Sequence, residues 1–409
     1  NSDAPVIIWL GYSVHGNEPS GANAAVLLAQ YLAAADNEEV RNWLNNAVIL
    51  LQPTLNPDGH DRFALWANMH KGAAPVADPQ HREHNEPWPN GRPNHYWFDL
   101  NRDWLLLQHP ESRARIAQYQ QWLPNVVGDY HEMGTNSSYF FQPGIPSRNY
   151  PLTPKRNFEL TRALAKYHAA ALDQAEQLYY TEESFDDFYV GKGSTYPDIQ
   201  GSVGILFEQA SSRGHLQDSI NGPLSFSATI QNQLTTSLST IRGAVDNRSA
   251  LLSYQQEFYK SAQQQAKNSK VKGYMLTESA DQTRLAALLD VLQRHHIEVY
   301  QLNRDWQDES EKYPALNSYY VPLQQPQYRL IKAMFSTEKN FPDNTFYDVS
   351  AWTLPHAYNI SFDTVNREPA QSGLSETWQT RPAEPAALPT GAYAYAFSWQ
   401  DQQAPLLLH

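Results

Sequence analysis

Val6-Ile7-Ile8-Trp9-Leu10-Gly11-Tyr12-Ser13-Val14-His15-Gly16-Asn17-Glu18 opens with an apolar run, Val6 to Gly11, that ends at glycine and gives way to a polar loop. Ala22 to Ala35 follows with helical composition, so the order is strand, loop, helix. The pattern recurs along the chain. Val48 to Gln52 is a second apolar run ending in Pro53 and the turn Asn56-Pro57-Asp58-Gly59, and the β-branched segment Val126 to Tyr130 leads into His131. Strands that alternate with helices predict an α/β fold. In open α/β sheets ligands gather beyond the carboxyl ends of the strands, so the polar residues after these three strands are expected to converge on one crevice.

A chain of 409 residues exceeds what one hydrophobic core usually serves, which predicts two domains. Residues 68–98 show no helix or strand period and read as a long loop that covers a cleft. Pro154 to Tyr179 and Leu224 to Lys267 read as helices, the second long enough to connect modules, and the boundary is placed at 268/269. Beyond it, Val271 to Leu276, Asp281 to His295 and Ile297 to Leu302 read as a βαβ unit, so residues 269–409 are expected to form a second α/β domain. Tyr319 to Pro322 with Gln327 to Phe335, and Ala392 to Trp399 with Gln403 onward, repeat the strand–helix order. This domain reads as incomplete near Leu408, and the start at Asn1, without Met, reads as a processed or truncated segment.

Lys plus Arg number 30 against 43 Asp plus Glu, and the net charge of -13 disfavours nucleic acid and anionic membranes as partners. No apolar run has the length of a membrane span. With no cysteine in the sequence, thiolate nucleophiles, disulfides and Cys-ligated metals are excluded, and any metal must be held by His, Asp or Glu. Peptides or small molecules are the expected substrates.

His15 and Glu18, at i and i+3 across Gly16, can aim at one ion when the loop turns tightly, although such a pair alone is also what a polar helix start looks like. His131 in Asp129-Tyr130-His131-Glu132 offers a third donor, and two His with one Glu leave zinc an open fourth position for water. In Asp99-Leu100-Asn101-Arg102-Asp103, Arg102 can fork onto a carboxylate while Asn101 adds a neutral donor; a surface ion pair is the plainer alternative. Glu208, within the apolar run Gly204 to Gln209, would be raised in pKa by burial and so suits proton transfer, unless it faces solvent at the strand end. His81 and His84 have a spacing that could bind a second metal, and His295-His296 end a helix.

Taken in order, His15-x-x-Glu18, Asn56-Pro57-Asp58-Gly59, Asp99-x-Asn101-Arg102, His131 and Glu208 resemble the carboxypeptidase A-like zinc carboxypeptidase family over roughly Val6 to Gly214. The resemblance implies a mixed, largely parallel sheet flanked by helices, with further strands ahead of Val6. It implies one zinc ion on His15, Glu18 and His131, Asp99 holding a ligand imidazole through its second nitrogen, and Glu208 as the base for a zinc-activated water. It implies Asn101 and Arg102 as the anchor for the C-terminal carboxylate of a peptide. Arg92, nine residues before Asn101, is the oxyanion candidate, with Arg62 and Lys71 as other cations of the region. Tyr196, ahead of Tyr189, is the candidate for a mobile substrate-capping tyrosine. Gly204 to Gly214 looks most like bacterial members with a second, glutamine-amidotransferase-like (flavodoxin-type) domain, which without cysteine would be structural or serve recognition. Such members imply a periplasmic or secreted location. The rival resemblance, to succinylglutamate desuccinylase and aspartoacylase-type amidohydrolases acting on N-acyl amino acids, shares the loop at 15–18, the segment at 99–102 and the glutamate.

Overall fold

The computed structural model describes residues 4–339 and 353–380, with 391, 393, 394 and 399. The chain divides into two compact units inside one helix, between Phe258 and Tyr259. The strand–helix order expected after Ala392 lies outside the described residues.

The first unit is built on a six-stranded sheet. Its strands are β1 (Val6–Tyr12), β2 (Ala47–Gln52), β3 (Val126–Met133), β4 (Tyr139–Phe141), β5 (Tyr179–Tyr180) and β6 (Val203–Ala210), in the order β2-β1-β3-β6-β4-β5. β2, β1, β3 and β6 are parallel; β4 runs antiparallel to β6, and β5 is parallel to β4. A mixed, largely parallel sheet is thus what the sequence builds. Helices α1 (Ser20–Ala34), α2 (Glu38–Asn46), α3 (Pro57–His70), α4 (Pro110–Trp122), α5 (Lys155–Gln174), the single turn α6 (Thr195–Asp198) and α7 (Phe226–Asp246) belong to this unit, as does the hairpin β7 (Leu216–Ser219) and β8 (Gly222–Ser225).

Strand alternation gives the sheet two different faces. Tyr12, Tyr130 and Phe207 stand side by side on one face, their rings stacked at 4.5 and 4.4 Å. α7 covers this face with a stripe of hydroxyls and amides: Tyr12 meets Ser237 at 2.8 Å, Tyr139 donates to Gln233 at 2.8 Å, and Tyr130 meets Thr240 at 3.4 Å. The polar look of α7 made it read as a connector, yet Gln233, Thr236, Ser237 and Thr240 are fully buried. The helix ends at Asn247, whose amide donates back to Gly243 O, and α8 (Arg248–Asn268) begins after it, so the predicted single helix 224–267 is two. On the other face lie His131 and Glu208, in register across β3 and β6.

Asn56-Pro57-Asp58-Gly59 is not a turn but the start of α3. Asn56 accepts from Gly59 N–H as N-cap, Pro57 takes the first helical position and Asp58 supplies an acid in the first turn. Glycine at 59 has a packing reason. A Cβ on Gly16 would lie 2.0 Å from the backbone of Gly59 and His60, and one on Gly59 would lie 2.4 Å from Gly91 O. Three backbones from distant segments therefore touch without side chains between them.

In the second unit, β9 (Gly273–Thr277), β10 (Tyr300–Leu302), β13 (Ser318–Pro322), β14 (Ser361–Val365) and β15 (Leu374–Thr377) form a sheet in the order β14-β9-β13-β10-β15, beside the small ribbon β11 (Trp306–Asp308) and β12 (Glu311–Tyr313). Every ladder of the five-stranded sheet is antiparallel. β9, α9 (Gln282–Arg294) and β10 follow the predicted order, but β13 lies between the two strands, so they do not pair as a βαβ unit. This corrects the flavodoxin-type parallel sheet expected here: local periodicity marks strands, while their neighbours are set by distant segments such as β13 and α10 (Tyr328–Met334). Met275, Leu302, Tyr313, Tyr320 and Val365 form a core cluster of this unit.

The glycine contact generates a stability prediction. Gly16→Ala should destabilise the first unit by about 2–3 kcal/mol in urea unfolding, because neither facing backbone can yield cheaply. Gly134→Ala, where a Cβ meets nothing within 4 Å, should stay within about 0.5 kcal/mol of the parent.

Candidate metal centre

The loop after β1 turns back on itself through Glu18 N–H to His15 O at 3.1 Å, which places both side chains toward the end of β3. His15 Nδ1 lies 2.9 Å from Glu18 Oε1, His131 Nδ1 lies 2.9 Å from Glu18 Oε2, and the two Nδ1 atoms are 3.2 Å apart. Among the described residues, these three are the group of buried side chains able to hold a metal ion, with one donor atom from each lying within 4.8 Å of the others. All are at most 5% exposed.

Both imidazoles have a carboxylate on the far nitrogen. Asp99 Oδ1 meets His15 Nε2 at 2.9 Å, the kind of contact the family resemblance implies for it. Asp129 Oδ2 meets His131 Nε2 at 2.9 Å. The sequence reading gave Asp129 no role, although its place two residues before His131 on a strand puts both on one face. Such partners fix ring orientation and raise the basicity of the nitrogen left for a metal.

Glu132 is a further omission. Facing away from His131, it accepts from Ser20 N–H at 2.7 Å and from Ser211 Oγ at 2.5 Å. It thereby supplies the acceptor that the N-terminus of α1 lacks locally, since no side-chain cap is present there. Its own N–H donates to Glu18 Oε2 at 3.0 Å, so the strand that bears His131 also orients Glu18.

The electrostatics are those of a site that attracts cations. Burial works against the charged form of His131, but Asp129 and Glu18 outweigh it and hold the ring well above the usual histidine range. His15 is raised in the same way by Glu18 and Asp99 against its burial. Burial pushes Glu18 up, yet the two imidazoliums draw it well below the ordinary glutamate value. Glu208, half-buried on the neighbouring strand, is pushed up to about 7 by burial, with His131 pulling it down and Glu18 pushing it up.

Arg92 reaches the cluster: Nη2 donates to Asp99 Oδ2 at 2.8 Å and Nη1 lies 3.6 Å from Glu18 Oε1. Arg62 instead braces this loop, donating to the carbonyls of Asn90, Pro93 and Asn94. Asn101 is close but turned inward. Its amide donates to Asp129 and faces His131, and its oxygen accepts from Trp104 Nε1 and Gly193 N–H, so in the folded chain Asn101 braces the centre. Arg102 follows it, half-buried. Tyr196 is fully buried, its ring packed against Trp104 and Tyr119 and its hydroxyl accepting from Gln120. Tyr189 is also buried, donating to Arg102 O at 3.4 Å. Tyr180 and Tyr139 both feel Glu208, and each is raised chiefly by burial with that carboxylate adding to it. His81 and His84 have ring centroids 5.9 Å apart, and His84 Nδ1 faces Asp78 O at 2.9 Å.

Residues 2–196 match the model of the zinc carboxypeptidase family, and Glu208 lies beyond the matched segment. Carboxypeptidase Z of Homo sapiens is 32% identical over 201 residues, an alignment spanning 40% of this chain and 28% of the relative. Carboxypeptidase 2 of Trichophyton rubrum is 26% identical over 132 residues, spanning 32% of this chain and 19% of the relative. The chain thus spans less than a third of the length of these curated relatives. A metallo-carboxypeptidase from Burkholderia cenocepacia superposes with a TM-score of 0.44 at 16% identity, covering 59% of this chain and 57% of that one.

The carboxylate partners generate a measurable consequence. Asp129→Asn and Asp99→Asn should each weaken zinc binding by roughly 10–100-fold in competition with a chromophoric chelator. Because neighbouring carboxylates raise both rings toward their protonated forms, zinc has to compete with protons there, so binding should release protons and affinity should rise as pH rises. Calorimetric titration in buffers of different ionisation enthalpy reads that release directly.

Proposed function

We infer that this chain, carrying at residues 2–196 a segment of the zinc carboxypeptidase family, is a zinc-dependent metallocarboxypeptidase that hydrolyses the C-terminal peptide bond of peptides. The observation that carries the reading is the His15–Glu18–His131 cluster with a carboxylate behind each ring and Glu208 in register beside it. Two imidazole nitrogens and one carboxylate oxygen fit one Zn2+ with a position left open. Zinc held there supplies Lewis acidity toward a carbonyl and lowers the pKa of water.

The remaining roles fall to the chain's own residues. Glu208 takes the proton of the attacking water and delivers it to the leaving amine; a carboxyl near 7 can do both at neutral pH. Arg92, fixed on Asp99 with one nitrogen facing the cluster, offers positive charge to the developing oxyanion. Arg102 receives the substrate's C-terminal carboxylate, and Asn101 holds Asp129 and His131 in place. Among the described residues no helix is long and apolar enough to cross a membrane. A periplasmic or secreted location is proposed on the family resemblance, as is a structural or recognition role for residues 269–409, whose five-stranded sheet is antiparallel.

Zinc-loaded protein should remove single C-terminal residues from free-acid peptides and leave their amidated twins intact, as read by mass spectrometry. Chelator should abolish the activity, and Glu208→Gln should lower kcat by roughly 10²–10⁴-fold with zinc still bound. Release of acyl groups from N-succinyl or N-acetyl amino acids instead would overturn the assignment. Since the base acts deprotonated and a nearby cation lowers its pKa, kcat/KM should fall with decreasing pH through a midpoint no higher than about 7.

A further inference from the structure

Trp88, Tyr96, Trp97 and Phe98 stand in water on one loop, each between 58% and 65% exposed. Such grouped exposure of large rings marks a binding surface more often than an accident of folding. The loop is held in shape rather than left slack. Asn94 is fully buried, and its Oδ1 accepts from the N–H groups of both Tyr96 and Phe98 at 3.0 Å. Trp97 N–H donates to Asn94 O at 3.1 Å, and Arg62 ties down the carbonyls of Asn90, Pro93 and Asn94. Trp97 itself sits at φ 67, a left-handed conformation that a bulky side chain rarely adopts. Tyr96 and Phe98 lie along the His109 ring at 6.3 and 4.6 Å, whereas Trp97 meets Trp88 at 6.2 Å.

The loop that bears these rings runs directly into the metal centre. The chain passes from Phe98 directly to Asp99, which holds His15, and Arg92 of the same loop holds Asp99. The polar groups next to the rings are already engaged. Asn94 Nδ2 faces His109 and Glu111, Glu86 binds Asn17 and Gly91 N–H with its two oxygens, and Asn90 Oδ1 accepts from Arg92 N–H. What faces outward is therefore mainly ring surface, with His95 exposed beside Tyr96 at 4.9 Å. Asn94 to Phe98 also carries no formal charge with histidine neutral, in a chain of net charge -13, so no ionic partner is called for.

We propose that the Trp88–Trp97 pair, flanked by Tyr96 and Phe98, is the subsite for apolar or aromatic side chains of the peptide substrate upstream of the bond that is cleaved. The assignment rests on the carboxypeptidase reading above.

The test compares kcat/KM of the zinc-loaded full chain on an N-blocked dipeptide and on tetrapeptides sharing its C-terminal residue, with Phe or Ala at the second and third positions from the C-terminus. The Phe tetrapeptide should exceed the Ala one by about tenfold or more, a factor typical of filling an apolar pocket. Trp88→Ala/Trp97→Ala should bring that ratio near one, and Trp88→Phe/Trp97→Phe should restore most of it, with zinc content confirming that both variants are folded. Hydrolysis of the dipeptide with no gain from Phe in the parent protein, or a gain that survives the double alanine variant, overturns the subsite alone. Absence of turnover on every free-acid peptide overturns the carboxypeptidase reading and the subsite with it. Quenching of tryptophan fluorescence by oligosaccharides but not by peptides would assign the rings to a different ligand and also overturn it.

Discussion

The parallel register of β3 between β1 and β6 is the constraint on which the rest of the first unit depends. Tyr130 must face α7 with Tyr12 and Phe207, and His131, one residue on, must then face the opposite side with Glu208. A slip of one residue would bring the imidazole and its Asp129 partner into the aromatic layer and turn Tyr130 toward the polar centre. Stacking at 4.5 and 4.4 Å on one face therefore fixes the alignment of charged groups on the other. Hydrogen bonds from α7 reinforce it, since Gln233 donates to His131 O at 3.0 Å, on the very residue that offers a ligand nitrogen.

Much of the centre was legible because its residues are near in sequence or tied to strand ends. His15 and Glu18 share one loop, Asp99 and Arg92 share another, and the apolar runs ahead of them mark where those loops begin. Less legible were residues whose meaning depends on a partner far along the chain. Asp129 and Glu132 sit on either side of His131 and look like ordinary strand-end acids until Asn101, Ser20 and Ser211 are in place. Asn56-Pro57-Asp58-Gly59 has the composition of a turn and of a helix start alike, and the helix is seen only through the Asn56–Gly59 hydrogen bond and the backbones packed on Gly59. Tyr196 has suitable spacing for a capping role, but spacing does not reveal that Trp104 and Tyr119 enclose it. In the second unit, periodicity locates β9 and β10 but not β13 between them.

The centre concentrates opposite charges at short range. Glu18, Asp99 and Asp129 surround two imidazoles, with Arg92 at the rim, and in the metal-free protein protons on the rings balance the acids. A cation entering this cluster replaces protons rather than filling a neutral hole, which couples its occupancy to acidity. Glu208 stands beside the network, where burial pushes its carboxyl up to about 7 while His131, Glu18, His15 and Asp129 all act on it.

The contact of Gly16, Gly59 and Gly91 joins the loop after β1, the first turn of α3 and the segment carrying Arg92, with no atom to spare between them. For a lineage of such sequences this makes three separated positions behave as one heritable unit. A side chain gained at any of them forces its neighbouring segment away, and at Gly16 and Gly59 a change elsewhere cannot easily compensate because the nearest obstruction is backbone.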